Sequence, residues 1–158
     1  MNEPRWPVAD LDPVRRLRIM AASIPGATYA EEVFARSVHE VWAVAGDLEA
    51  EFPMLLGDVR TMRIARADGE RLEVVAVGRL GQRARFDVVI RPGWCWMQSR
   101  FLHGGMAAAP EGDGTRVAFL GALRIPGMRL ADPILRTLPL GGRVLRRLEA
   151  RLQARAAG

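Results

Sequence analysis

The residues of this chain best suited to chemistry are few and scattered. His39 stands beside Glu40 at the start of a helical pattern, and His103 precedes two glycines. Neither has the His, Cys or carboxylate neighbours at ligand spacing that a metal site requires. The single cysteine, Cys95, lies between Trp94 and Trp96; it reads as a small buried hydrophobe and leaves no partner for an internal disulfide. No Gly-x-Ser-x-Gly elbow, phosphate-binding loop or dinucleotide fingerprint occurs. Gly141-Gly142-Arg143, opening a helix, offers N–H groups to a phosphate, which alone defines no site. The remaining candidate is Arg100, in the run Trp94–Leu102. There Cys95, Met97, Ser99 and Phe101 form one face of an extended segment, and Trp94, Trp96, Gln98 and Arg100 the other. The first is the better core face and sends Arg100 to solvent. If the second turns inward, Arg100 becomes a buried cation that needs an anionic ligand group or an enolate to offset it. Arg100 is thus the catalytic candidate, and neither a metal nor a cofactor is expected.

The elements that must position these residues are legible in order. Asp12-Pro13 opens a short helix in which Val14, Leu17 and Ala21 share a face; Ser23-Ile24-Pro25-Gly26 ends it. Residues 1–26 read as an extension packed outside a domain spanning 27–158, the alternative being a mobile lid. A strand is expected from Ala27 to Arg36, anchored by Tyr29, Val33 and Phe34. Ser37-Val38-His39-Glu40 is a capping box, starting a helix that buries Val38, Val41, Trp42 and Ala45. A second short helix is expected from Leu48 to Leu55 around Phe52-Pro53.

Strand signals then follow in close succession. Arg63 to Ala67 meets a turn at Asp68-Gly69. Leu72, Val74, Ala76 and Gly78 alternate with Glu73, Val75, Val77 and Arg79. After Gly81-Gln82, Ala84, Phe86, Val88 and Ile90 alternate with Arg85, Asp87, Val89 and Arg91. Pro92-Gly93 leads into Trp94–Leu102, and His103-Gly104-Gly105 reads as a turn before a weak strand, Met106 to Ala109. The last strand puts Val117, Phe119, Gly121, Leu123 and Ile125 on one face. Turns this close make the sheet antiparallel. The C-terminal run from Asp132 to Arg155 reads as a helix started by Asp132-Pro133, kinked or interrupted at Pro139, Gly141 and Gly142. Val144, Leu145, Leu148 and Leu152 make its apolar stripe.

With 158 residues the chain fits one domain, and its 49% hydrophobic and 26% charged residues suit a globular fold and argue against disorder. No uncharged apolar run approaches the ~20 residues of a membrane span. Glu3, Asp10, Asp12 and the prolines of the first fifteen residues leave no signal-peptide core, so a cytoplasmic location is expected. All 23 basic residues are Arg, and the net charge is +5. Residues 128–158 hold seven Arg against Asp132 and Glu149, so this segment carries the whole excess. A solvated helix face is the plain reading of Arg143, Arg146, Arg147 and Arg151. The sharper one is peripheral contact with an anionic membrane through these four. Without interleaved surface aromatics, no nucleic-acid partner is expected.

The order strand, two helices, antiparallel strands, long C-terminal helix resembles the START-like, helix-grip (SRPBCC) superfamily, and within it the polyketide cyclase/dehydrase and coenzyme-Q-binding branch. The resemblance rests on Val41-Trp42 after the capping turn, Asp47, Phe52-Pro53 and Val59, and on Gly112-Asp113-Gly114-Thr115-Arg116-Val117. It covers about residues 27–157. It implies an α+β helix-grip fold: a curved antiparallel sheet of six or seven strands around the C-terminal helix, with two short helices after the first strand. It further implies a cavity for a hydrophobic small molecule such as a lipid, isoprenoid or polyketide. Val74, Ala76, Phe86, Val88, Met97, Ser99, Phe101, Phe119, Gly121, Leu123, Leu138 and Leu145 would line it, although the same residues would equally build a filled core. The function implied is that of a carrier or binding protein, the alternatives being a polyketide cyclase, aromatase or dehydratase and an interaction module using the Arg face.

Overall fold

The computed structural model describes residues 11–158. The acidic and proline-rich start noted above therefore lies, through residue 10, outside the described residues. Asp12 caps the first helix, α1 (Pro13–Ser23), by accepting from the Arg15 N–H at 3.0 Å, with Pro13 in the first turn where no N–H is needed. Strand β1 (Thr28–Phe34) follows, then α2 (Val38–Ala45) and α3 (Phe52–Leu55). The capping box at Ser37 and Glu40 forms in both directions. In α2 the fully buried residues are Val41, Val44 and Ala45, while Trp42 and Val38 are half-buried at the margin. The second helix is a single turn, because the stretch before it folds into turns around Asp47, whose side chain accepts from the Ala50 N–H at 2.9 Å.

Six further strands complete an antiparallel sheet: β2 (Val59–Asp68), β3 (Arg71–Gly78), β4 (Arg83–Arg91), β5 (Trp94–Gln98), β6 (Leu102–Glu111) and β7 (Gly114–Leu123). The order is β1-β7-β6-β5-β4-β3-β2 across seven strands, so only the β1–β7 pairing is non-sequential. Two helices end the chain, α4 (Met128–Leu135) and α5 (Leu140–Ala157).

The sheet separates two apolar clusters. On one face Met106, Ala108, Val117 and Phe119 pack with Val41 and Val44 of α2 and with Val144, Leu145, Leu148 and Leu152 of α5. On the other, Ala107, Ala109, Ala118, Leu120 and Ala122 receive Val14, Leu17 and Ala21 of α1. The expected α1 face is the buried one, and it lies across the sheet from α5. Both faces of β6 and β7 are thus covered at their centre, which erases the polar–apolar alternation a half-exposed strand would show.

Three expectations are corrected. The run Trp94–Leu102 is not one strand: β5 stops at Gln98, and Ser99-Arg100-Phe101 turns the chain, with the Ser99 hydroxyl accepting from the N–H groups of Phe101 (3.3 Å) and Leu102 (3.1 Å). His103-Gly104-Gly105 is not a turn but the start of β6, paired on both sides by β5 and β7. Asp132 does not start the C-terminal helix. Its carboxylate accepts instead from the Gly26 N–H (2.5 Å) and the Arg136 Nε–H (2.7 Å), tying α4 to the link between α1 and β1. The break expected near Pro139 is real, and it separates α4 from α5.

Candidate functional site

A cavity of about 630 Å³ lies between the α5 side of the sheet, α3 and the α4–α5 segment. Its walls are made by Ala76, Phe86, Met97, Phe119 and Gly121 from the strands, by Phe52, Leu56, Val59 and Met62 from α3 and the start of β2, and by Met128, Leu135, Leu140 and Val144 from α4 and α5. Met62, Ala76, Met97 and Phe119 are under one-tenth exposed and form its interior, whereas Leu123 at 44% and Leu140 at 45% stand at an open rim.

Of the twelve residues expected to line a cavity, Ala76, Phe86, Met97, Phe119, Gly121 and Leu123 do so. Val74, Val88 and Leu145 share the apolar cluster but are fully packed, at most 2% exposed, and are not on the cavity wall. Ser99 and Phe101 lie on the β5–β6 turn, where Phe101 is 57% exposed. Leu138 lies in the α4–α5 connection and is 41% exposed. Arg100 stands on the same turn as Ser99, exposed, with its guanidinium 5.3 Å from the Phe101 ring. The face of β5 that meets the α5 side is therefore that of Cys95 and Met97. Trp94 belongs to the α1 side, and Trp96 packs against the same cluster. Burial pushes the Cys95 thiol up to about 12, which keeps it protonated and unreactive.

Several wall residues carried no signal that strand alternation would reveal. Gly104 sits in β6 directly across from Gly121, and both border the cavity. The segment Leu56-Gly57-Asp58 also borders it; it connects elements, and periodicity says nothing of which side a connection covers. His103 borders the cavity, yet its ring lies 5.7 Å from that of Trp96 on the α1 side. Among the described residues its Nδ1 is buried without a hydrogen-bond partner, and burial, with Arg124 nearby, lowers its pKa.

The cations bordering the cavity come from α5. Arg143 and Arg147 border it together with Asp58. The Arg147 Nη1 donates to the Leu55 carbonyl at 3.1 Å. Arg151 and Arg155 turn instead to the Glu51 carboxylate, at 2.8 Å and 3.4 Å. The four arginines read as one solvated helix face are thus divided: Arg143 and Arg147 border the cavity, Arg151 is ion-paired, and Arg146 does neither, while Arg143, Arg146 and Arg147 are all exposed. Among the described residues no group of three or more His, Cys, Asp or Glu converges as a metal site would require, and no helix is long and apolar enough to cross a membrane.

No protein-family model matches the sequence, and no curated protein matches it. Solved structures do. The 18 kDa protein CC1736 of Caulobacter crescentus is 19% identical, with 84% of this chain and 99% of that one covered at a TM-score of 0.60. TTHA0849 of Thermus thermophilus is 21% identical over 81% of this chain and 97% of that one, with a TM-score of 0.57. A STAR-related lipid transfer protein fragment of Xanthomonas axonopodis is 14% identical over 79% of this chain and 84% of that one, with a TM-score of 0.56. At such identities the likeness is one of fold. Together with the seven-stranded sheet, the paired short helices after β1 and the closing α5, it shows that the chain has the START-like helix-grip fold.

Proposed function

We propose that this protein binds a hydrophobic small molecule in the cavity between its sheet and α5, as a carrier or binding protein. The observation that carries this reading is the cavity itself: about 630 Å³ with walls that are predominantly aliphatic, aromatic and thioether. Interiors are packed nearly as densely as organic crystals, so a space of this size is not a packing remnant; it falls within the usual range of small-molecule sites, ~300–1,000 Å³. The likeness to a STAR-related lipid transfer protein supports an apolar ligand. A cyclase-type enzyme in the same fold loses its candidate here, since Arg100 lies on an exposed turn.

Native mass spectrometry of freshly purified protein tests the reading. A sub-kilodalton apolar species should co-purify, or the neutral dye Nile red should bind one-to-one and be displaced by an apolar competitor. No binding of any apolar probe at micromolar concentration would exclude a carrier.

A further inference from the structure

We infer that the ligand is an amphipathic anion, with its apolar body inside the cavity and one terminal carboxylate or phosphate held by Arg143 and Arg147. This rests on the cavity-binding reading and adds the chemistry of one end of the ligand. The two arginines are four residues apart on α5, hence on one helix face, and both border the cavity. Like charges at this spacing repel. Among the described residues no carboxylate oxygen lies within 4.0 Å of either guanidinium, whereas Arg151 and Arg155, further along the same helix, share Glu51. Among the described residues Asp58 is the one carboxylate bordering the cavity, beside the two cations.

The position of Arg147 is built rather than incidental. Its guanidinium donates to the Leu55 carbonyl and packs over Gly57, where a Cβ would stand 2.5 Å from Nη1. Gly57 also has φ +59°, a backbone conformation that favours glycine, and the guanidinium occupies the space its missing side chain leaves. A guanidinium carries five N–H donors in a planar fork suited to two oxygens of one oxyanion. That single carbonyl bond is all that Arg147 makes within the described residues, and the Arg143 side chain makes none. Exposed arginines are ordinarily content with water. This pair, although exposed, differs in bordering an apolar cavity, so that a ligand seated there would bring a terminal oxyanion within reach of both guanidinium groups.

Displacement of Nile red from the full chain by dodecanoate, dodecyl phosphate and dodecan-1-ol tests the inference. Both anions, or one of them, should bind at least about tenfold more tightly than the alcohol, and their ranking identifies the preferred oxyanion. Arg143→Gln combined with Arg147→Gln should bring anion and alcohol to within about twofold while leaving the alcohol unchanged. Arg146→Gln, which does not border the cavity, should keep the full preference. Because Arg147 also holds the Leu55 carbonyl, Arg143→Gln alone and Arg147→Lys are measured beside the double variant, with melting temperatures. The first should lower the preference and the second retain most of it. Equal binding of alcohol and anions by the unsubstituted protein, or a preference that survives the double substitution, would overturn the inference and leave the cavity reading standing. Displacement by inorganic phosphate alone would also overturn it, since no apolar body would then be needed. Failure of Nile red and all three amphiphiles to bind would instead refute the cavity reading itself.

Discussion

Gly104 of β6 and Gly121 of β7 stand directly opposite each other in the sheet, on the side that faces α5. Two residues along each strand, Met106 and Phe119 form the next pair on that side and fill the core. The side chains thus stop where the cavity begins. A Cβ on Gly104 would meet only the Leu120 carbonyl oxygen, at 3.8 Å, and one on Gly121 would touch the Phe119 ring and the Thr28 methyl at 3.4 Å. Neither glycine is needed for a positive φ. What they supply is floor space under the cavity.

Gly104→Leu is therefore expected to fill the cavity at little cost. Stability of the empty protein should change by no more than about 0.5–1 kcal/mol in either direction, since strand propensity rises as packing adjusts. Affinity for Nile red should fall at least several-fold. Gly121→Leu, with two neighbours already in contact, should cost about 1–2 kcal/mol as Phe119 shifts. Urea melts with and without dye separate the two effects.

Gly57→Ala carries a double burden. The left-handed backbone costs an L-residue about 1–2 kcal/mol, and the new methyl collides with the Arg147 guanidinium. Because the guanidinium is the far end of an exposed, flexible side chain, it can swing aside. Urea denaturation should therefore show a loss of about 1–2 kcal/mol for Gly57→Ala and a smaller one for Gly57→Asn, which tolerates the backbone.

Acid should loosen the contact between α1 and the sheet. Glu31 of β1 accepts from Arg18 of α1 (2.5 and 2.8 Å), from the Tyr29 hydroxyl (2.5 Å) and from Arg116 of β7 (3.1 Å). The Arg18 hydrogen bonds, chiefly, hold its carboxyl down to about 2 from a usual 4.5. A carboxylate depressed in the folded state stabilises fully above its unfolded value, and the stabilisation disappears as pH falls through the folded one. The loss should fall between pH 4.5 and about 2. Because Arg18 is half exposed and screened, its size is about 1–2 kcal/mol. Glu31→Gln should flatten the stability–pH curve in that window; an unchanged curve would show that the cluster contributes nothing.

Leu148 and Leu130 test which helix faces are packed. Leu148 of α5 is fully buried, and Leu148→Ala should cost about 2–5 kcal/mol. Leu130 of α4 is 89% exposed, and Leu130→Ala should stay within about 0.5 kcal/mol. Thermal or urea melts of both variants give the comparison.

The sequence made the architecture readable where one physical signal dominated. The Ser37–Glu40 capping box, the hairpin turns and the stripe Val144, Leu145, Leu148, Leu152 each point to one local structure. It misled where two signals competed. His103-Gly104-Gly105 has the composition of a turn, but β5 and β7 pair with it on both sides, and tertiary pairing overrides propensity. The cavity wall was half legible. Ala76, Phe86, Met97 and Phe119 follow from strand alternation. Val74, Val88 and Leu145 obey the same alternation and yet pack solid, because alternation fixes the side of a sheet and not the depth of what covers it. Arg143 and Arg147 looked like their neighbours Arg146 and Arg151; only the course of the Leu56-Gly57-Asp58 segment sets them apart.

Methionine methyl groups report the cavity most directly. Met62, Met97 and Met128 border it, Met20 belongs to the α1 side, and Met54 is exposed on α3. With ¹³C-methyl-labelled methionine, assigned by single Met→Leu variants, dodecan-1-ol should be added to the full chain and the methyl resonances followed by NMR. Shifts concentrated at Met62, Met97 and Met128, saturating together while Met20 and Met54 stay in place, are the expected result. Saturable shifts at Met20 or Met54 with the other three unmoved, or no shift at any methyl, would contradict ligand binding between the sheet and α5.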